Sequence, residues 1–87
     1  MDTLYHIKYW TGAGDFTYKG TLQGAMKAAE KEVQYTQQPV EIYQDGNEIY
    51  PVAVLNWNGY PADEDDEVVV DYGKFGFYGP WEIFPSK

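Results

Sequence analysis

The stretch VEIYQDGNEIYPVAVLNW, residues 40–57, decides the fold because it places a tight turn between two alternating apolar segments. Val40–Gln44 and Ile49–Trp57 alternate apolar with polar residues, which is typical of half-buried β-strands. Asp45-Gly46 stands between them, and this dipeptide is the strongest short-range signal of a β-hairpin. Pro51 cannot donate a backbone hydrogen bond, so the second strand lies at a sheet edge or begins its pairing after Pro51.

A second hairpin is predicted at the start of the chain. Leu4–Trp10 alternates apolar and polar residues and is rich in aromatic side chains. Phe16–Lys19 resumes this pattern after a turn of glycine-rich composition at residues 11–15. Two such segments separated by turn residues are typical of an antiparallel pair.

The segment that follows has the spacing of the only predicted helix. Thr21 is a residue type that caps helix N-termini, and Pro39 marks the end because proline disfavours helical backbone in the residue before it. Apolar residues between these limits form one stripe along about 14 residues, at Leu22, Ala25, Met26, Ala29 and Val33.

The C-terminal third is predicted to add to the sheet. Val68–Tyr72 has the pattern of a short strand, and Gly73–Lys87 combines glycine and proline with many aromatic residues. This last segment forms one more strand or wraps over the core. We therefore predict a single α+β domain over residues 1–87, with an antiparallel sheet of about five strands and one helix packed on one face, in the order β-β-α-β-β-β.

Composition excludes several classes of function. The 87 residues carry a formal charge of −8, with six lysines and no arginine, which is the opposite of what phosphate binding by a nucleic-acid-binding protein needs. The chain has no cysteine, so disulfides and thiolate chemistry are absent. It contains no apolar stretch long enough for a bilayer and no signal-peptide pattern at its start, so we expect a cytoplasmic protein without a membrane partner.

The negative charge is concentrated in one half of the chain. Residues 32–73 hold ten acids and no lysine, a charge of −10, whereas four acids and six lysines elsewhere give +2. The acidity peaks where five acids are adjacent, at Asp63, Glu64, Asp65, Asp66 and Glu67. Such a run is either a solvated loop that aids solubility or a binding surface.

Few side chains are available for catalysis. His6 is the only histidine and Ser86 the only serine, so no hydrolase triad can be assembled. Without a second imidazole, His6 is expected to be a half-exposed strand residue rather than a metal ligand or an acid–base group. Two carboxylates suffice for glycoside hydrolysis, but clustered acids lack the contrasting environments that separate carboxyl pKa values. We therefore predict a protein that is not an enzyme.

The acidic run also fails the spacing of a calcium loop. Asp63, Asp65 and Glu67 match positions one, three and five of an EF-hand, but the glycine required next is Val68 and the final glutamate is Lys74. We expect no metal site and no cofactor, with weak divalent-cation binding by the run left open.

Sixteen aromatic residues are more than a domain of this size can bury. Tyrosine and tryptophan are enriched at interaction hot spots, and several aromatics flank the acidic run in sequence. The predicted partner-binding residues combine both features, and the predicted partner is a basic protein surface. These residues are Trp57, Tyr60, Asp63, Glu64, Asp65, Asp66, Glu67 and Asp71.

An extended acidic run would place alternate carboxylates roughly 6.5–7 Å apart on each face, and a nucleic-acid-binding enzyme could accept such a ladder in place of phosphates. In size, acidity, lack of cysteine and strand-helix-strand plan, the chain resembles the small acidic phage-encoded inhibitors of bacterial defence, namely anti-CRISPR proteins and other DNA mimics. The resemblance implies a non-enzymatic inhibitor that binds the nucleic-acid-binding surface of a defence effector.

Two other functions remain open at this stage. A carbohydrate-binding module could stack sugars on Trp10, Trp57 or Trp81. A structural or assembly subunit could bury its exposed aromatic residues in a homodimer, which would also stabilise a small domain.

Overall fold

A computed structural model describes residues 3–9, 15–33 and 35–84 of the chain. Two strands come first and are followed by the helix, β1 (Thr3–Tyr9), β2 (Phe16–Gly20) and α1 (Leu22–Glu32). The remaining elements are β3 (Val40–Gln44), β4 (Ala53–Asn58), β5 (Val70–Asp71), a 3-10 turn (Gly73–Phe75) and β6 (Phe77–Ile83).

All six strands join one antiparallel sheet in the order β2-β1-β3-β4-β6-β5. The sheet is curled into a half-barrel. The α+β class, the single helix and the two predicted hairpin pairs, β1 with β2 and β3 with β4, are confirmed. The turn of the first hairpin, residues 11–14, and Trp10 lie outside the described residues.

The strand count of about five is wrong, because β6 is a full strand between β4 and β5. Its Gly79 and Pro80 together face the single residue Asn56 of β4, where the register shifts. A bulge of this kind leaves a residue without ladder pairing, so proline costs no backbone hydrogen bond there. The Asn56 side chain donates to the Pro80 carbonyl instead, at 3.0 Å.

Strand β4 starts four residues later than the sequence predicts. The Asp45-Gly46 turn forms, with Gly46 at φ 87° and the Asn47 N–H donating to the Gln44 carbonyl at 2.9 Å. Pairing with β3 then begins only after Pro51, where the Val52 N–H donates to the Ile42 carbonyl at 2.7 Å. Of the two arrangements that Pro51 allowed, this confirms the one in which pairing begins after Pro51. Strand β5 is shorter than the predicted Val68–Tyr72, because it covers only Val70–Asp71.

Helix α1 packs over β1, β2 and β3 on one face of the sheet, which we name the helix face. Thr21 caps it as predicted, because its hydroxyl accepts from the Gly24 N–H at 3.0 Å. The helix ends at Glu32, since Val33 adopts extended backbone with ψ 134°. Ala25 and Ala29 are fully buried against a core of strand residues, which includes Ile7, Val40, Ile42 and Leu55. Neither described helix has the length and apolar character of a transmembrane segment.

Candidate protein-binding surface

The five adjacent acids form a tight turn rather than an extended ladder. The Asp66 N–H donates to the Asp63 carbonyl at 3.0 Å, and the Asp63 N–H donates to Asp66 Oδ2 at 2.8 Å. The evenly spaced carboxylate ladder that an extended run would give is therefore wrong for this chain. The backbone turns here because an aspartate side chain can satisfy nearby N–H groups more readily than an isolated strand can.

The five carboxylates divide into two groups. Those of Asp63 and Asp66 hold the turn together, since Asp63 Oδ1 also accepts from the Glu64 N–H at 2.8 Å. The other three, on Glu64, Asp65 and Glu67, are exposed, and within the described ranges no hydrogen bond or ion pair engages them. We name residues 63–67 the acidic turn. Its carboxylates without a partner are these three, and Asp63 is exposed as well although it is bonded within the turn.

The acidic turn is anchored to β6 on both sides. Downstream of it, the Val69 N–H donates to the Tyr78 carbonyl at 2.7 Å, and the Glu67 carbonyl packs against Gly79. Upstream, the ring of Tyr60 meets Phe77 edge-on at 5.6 Å between centroids. A turn held this way presents its charges from a fixed position, which lowers the entropy that binding must overcome.

Asp71 has a local structural role. Its Oδ1 accepts from the Gly73 N–H at 2.7 Å, which closes the entry to the 3-10 turn. The residue is exposed and lies opposite Phe77 in the β5–β6 register. Asp71 and Tyr60 therefore flank the same buried ring, Phe77, on the face of the sheet opposite the helix face.

Trp57 lies on the other face of the sheet from Tyr60. In the β4–β6 register Trp57 pairs with Tyr78 and Asn58 with Phe77, and successive strand residues point to opposite faces. The Trp57 ring packs on Tyr78 at 4.7 Å between centroids, whereas Tyr60 packs on Phe77. A single aromatic rim containing both Trp57 and Tyr60 is thus not formed.

A cluster of aromatic rings lies on the helix face of the sheet, beyond the end of α1. Its rings lie 4.7 to 6.1 Å apart between centroids, and they belong to Tyr35, Trp57, Tyr72, Phe75 and Tyr78. The hydroxyl of Tyr78 accepts from the Thr36 N–H at 3.2 Å, which ties the segment after α1 to β6. Burial, with Tyr78 nearby, raises the pKa of Tyr72.

Two members of this cluster, Tyr35 and Phe75, were not among the predicted site residues, although their side chains are 42% and 58% exposed. The many aromatic residues in segment 73–84, which includes Phe75, indicated that this segment packs against the rest of the domain. Nothing in the spacing of Tyr35 marks it as a contact of Trp57, because 22 residues separate the two positions.

The two tryptophans that the structure describes do not form an open platform for sugars. Trp57 is enclosed by rings of the cluster, and the indole N–H of Trp81 donates to Glu30 Oε2 of α1 at 2.8 Å. Trp10 lies outside the described residues. The described tryptophans therefore serve packing and the attachment of α1 to β6.

The acidic turn does not bring three donors together for a metal ion. Across the described parts of the chain, the one group of three metal-ligating side chains is His6, Asp45 and Glu48. This group lies between β1 and the β3–β4 turn, and not beside the acidic turn. Comparison of the chain with protein-family models, with curated proteins and with solved structures finds no match.

Proposed function

We propose that this protein is a non-enzymatic binding protein, and that its acidic turn engages a basic surface of a partner protein. The observation that carries the proposal is the set of three exposed carboxylates on Glu64, Asp65 and Glu67, which no described residue pairs and whose turn is anchored to the inner strand β6. Concentrated charge of one sign on a fixed support accelerates and orients association with a surface of the opposite sign.

The partner class that fits this charge is a nucleic-acid-binding protein, such as the defence effectors that small acidic phage inhibitors bind. A basic site built for phosphates attracts a compact cluster of carboxylates. Because the carboxylates lie on a turn, recognition rests on a local concentration of charge and not on a repeating phosphate-like spacing. Tyr60, 51% exposed beside the turn, adds an aromatic contact of the kind enriched at hot spots.

Two variants with the same formal charge test this proposal. The turn variant carries Glu64→Gln, Asp65→Asn and Glu67→Gln, which leaves the bonds of Asp63 and Asp66 intact. The control variant carries Glu32→Gln, Glu41→Gln and Glu82→Gln, and so removes equal charge elsewhere.

A panel of purified DNA-binding proteins and RNA-guided nucleases is titrated with the wild-type protein, with duplex DNA as competitor. The proposal expects that at least one of them binds, that DNA displaces the protein, and that only the turn variant loses the interaction. Equal binding by both variants, or binding that DNA does not affect, would contradict it.

A second candidate function, a homodimeric assembly subunit, is favoured by apolar side chains at the other end of the sheet. Ile49 and Tyr50 precede β4 and are 78% and 74% exposed, and Ile83 and Phe84 at the end of β6 are 56% and 43% exposed. Burial of such a patch in a dimer would be favourable. Sedimentation at increasing concentration tests it: a dimer that Ile49→Asp dissociates supports the assembly function, and a monomer at high concentration rules it out.

A further inference from the structure

His6, Asp45 and Glu48 meet on the face of the sheet opposite the helix face, although the first two are 39 positions apart in sequence. His6 Nε2 lies 2.9 Å from Asp45 Oδ1 and 4.0 Å from Glu48 Oε2. The donor atoms of all three side chains lie within 4.8 Å of one another. We propose that these three side chains bind one zinc ion between β1 and the turn that follows β3.

The backbone holds these donors in place. His6 lies inside the β1 ladder, paired with Thr17 of β2 and Tyr43 of β3. The Asp45 N–H donates to the Leu4 carbonyl at 2.9 Å, which extends the β1–β3 pairing up to the turn. Gly46, at φ 87°, then reverses the chain, so that Glu48 returns towards the same face of β1. The ligands therefore come from two segments that are hydrogen-bonded to each other.

The distances suit a small ion. Zinc binds imidazole nitrogen and carboxylate oxygen tetrahedrally at about 2.0–2.2 Å, so its ligand atoms lie roughly 3.3–3.6 Å from one another. His6 Nε2 lies 2.9 Å from the Asp45 oxygen and 4.0 Å from the Glu48 oxygen, so each separation has to change by only about half an ångström. Asp45 and Glu48 are 55% and 45% exposed, which leaves room for water as the remaining ligand.

The donor set selects the kind of ion. One imidazole with two carboxylates suits zinc and similar first-row ions, whereas calcium and magnesium prefer oxygen ligands alone. The Nε2 atom that bonds Asp45 is also the atom that would ligate the ion, so zinc replaces this hydrogen bond when it binds.

The positive charge of Lys8 lies close enough to weaken zinc binding, so replacing Lys8 tests the proposal. Its Nζ lies 4.0 Å from Glu48 Oε1 and 5.1 Å from the centre of the Tyr43 ring. A positive charge so close to one ligand repels zinc and competes for the carboxylate. Lys8→Met should therefore tighten zinc binding, a gain that a purely structural ion-pair cluster would not produce.

Zinc chloride is titrated into the full chain by calorimetry, and the imidazole signals are followed by NMR. Because His6 is the only histidine, those signals report this site alone. We expect one zinc per chain with shifted His6 signals, at least about tenfold weaker binding for His6→Gln and for Asp45→Asn, and tighter binding for Lys8→Met. Calcium at the same concentration should leave the His6 signals unchanged.

The turn variant separates this site from non-specific binding by the acidic turn, and it should bind zinc as the wild type does. Circular dichroism confirms that each variant is folded, and if His6→Gln fails to fold, Asp45→Asn and the wild-type NMR signals decide. Zinc that leaves His6 unshifted, or that is lost only in the turn variant, would overturn the proposal.

Discussion

The α-carbon of Gly79 lies against the backbone carbonyl of Glu67, so closely that a β-carbon at position 79 would collide with that oxygen. Gly79 is also at φ 144°, a conformation that other residues rarely adopt. Through this contact the last residue of the acidic turn rests on the inner strand β6. The position of the exposed charges thus depends on a glycine that carries no charge itself.

Gly79→Ala should be one of the most destabilising single substitutions in the chain. The collision is with a backbone atom, and the φ angle adds strain, so we expect a loss of at least about 3 kcal/mol in the free energy of unfolding. Gly46→Ala is the matched control, since its φ is 87° but a β-carbon there meets nothing within 4 Å. It should cost about 1–2 kcal/mol. Equal losses in urea denaturation would show that Glu67 does not rest on Gly79.

Asp66 and Asp65 are adjacent acids with opposite expected effects on stability. Asp66→Ala removes the oxygen that accepts from the Asp63 N–H and should lower the free energy of unfolding by about 1–2 kcal/mol. Asp65→Ala removes an exposed charge from a repelling cluster, so stability should stay the same or rise by a few tenths of a kcal/mol. Thermal and urea unfolding of both variants measure this, and a larger loss for Asp65→Ala would contradict the turn geometry.

Trp81 and Glu30 should be energetically coupled. The indole N–H donates to a carboxylate oxygen at 2.8 Å and joins β6 to α1. A double-mutant cycle with Trp81→Phe and Glu30→Ala should give a coupling of about 1–2 kcal/mol, because hydrogen bonds to charged groups exceed neutral ones. Strictly additive losses would mean that the two side chains do not interact in solution.

Tyr9 makes the fold sensitive to alkali. Burial, followed by the charges of Glu32 and Asp15, raises its pKa from 10.0 to about 12. The folded pKa lies above the unfolded one, so the stability from the neutral phenol is fully present below pH 10 and is lost as the pH rises through 12.

Tyr9→Phe should therefore decline less steeply in stability across that range than the wild type. At neutral pH the same substitution should cost about 0.5–1.5 kcal/mol, because the hydroxyl donates to the Ala29 carbonyl at 3.3 Å. Tyr50→Phe, at a ring 74% exposed, is the control and should follow the wild-type profile. Parallel profiles for Tyr9→Phe and the wild type would refute the assignment.

Local signals predicted most of the secondary structure. The Thr21 cap, the bounds of β3 and the Asp45-Gly46 turn follow from chemistry within a few residues, and all three are present. For β6 the sequence left two alternatives open, one more strand or a segment that wraps over the core, because the tolerance of Pro80 depends on a bulge opposite Asn56 of another strand. Pairing with a strand that is distant in sequence therefore allows a strand at Pro80, where the local sequence disfavours one.

The candidate site was also predictable only in part from local sequence. Composition located the five adjacent acids in the sequence. Which of their carboxylates are left without a hydrogen bond depends on the geometry of the turn, and which face each ring occupies depends on strand register. Trp57 and Tyr60 are three residues apart in sequence yet lie on opposite faces, so adjacency alone could not define the surface.

The central claim is that the acidic turn meets a basic protein surface. The most direct test is the affinity for a bound member of the protein panel, measured against sodium chloride concentration for the wild type, the turn variant and the control variant. We predict that the wild type and the control variant bind with similar affinities that fall steeply with salt, and that the turn variant binds weakly with a shallow salt dependence. Identical salt profiles for the turn variant and the wild type would contradict the account.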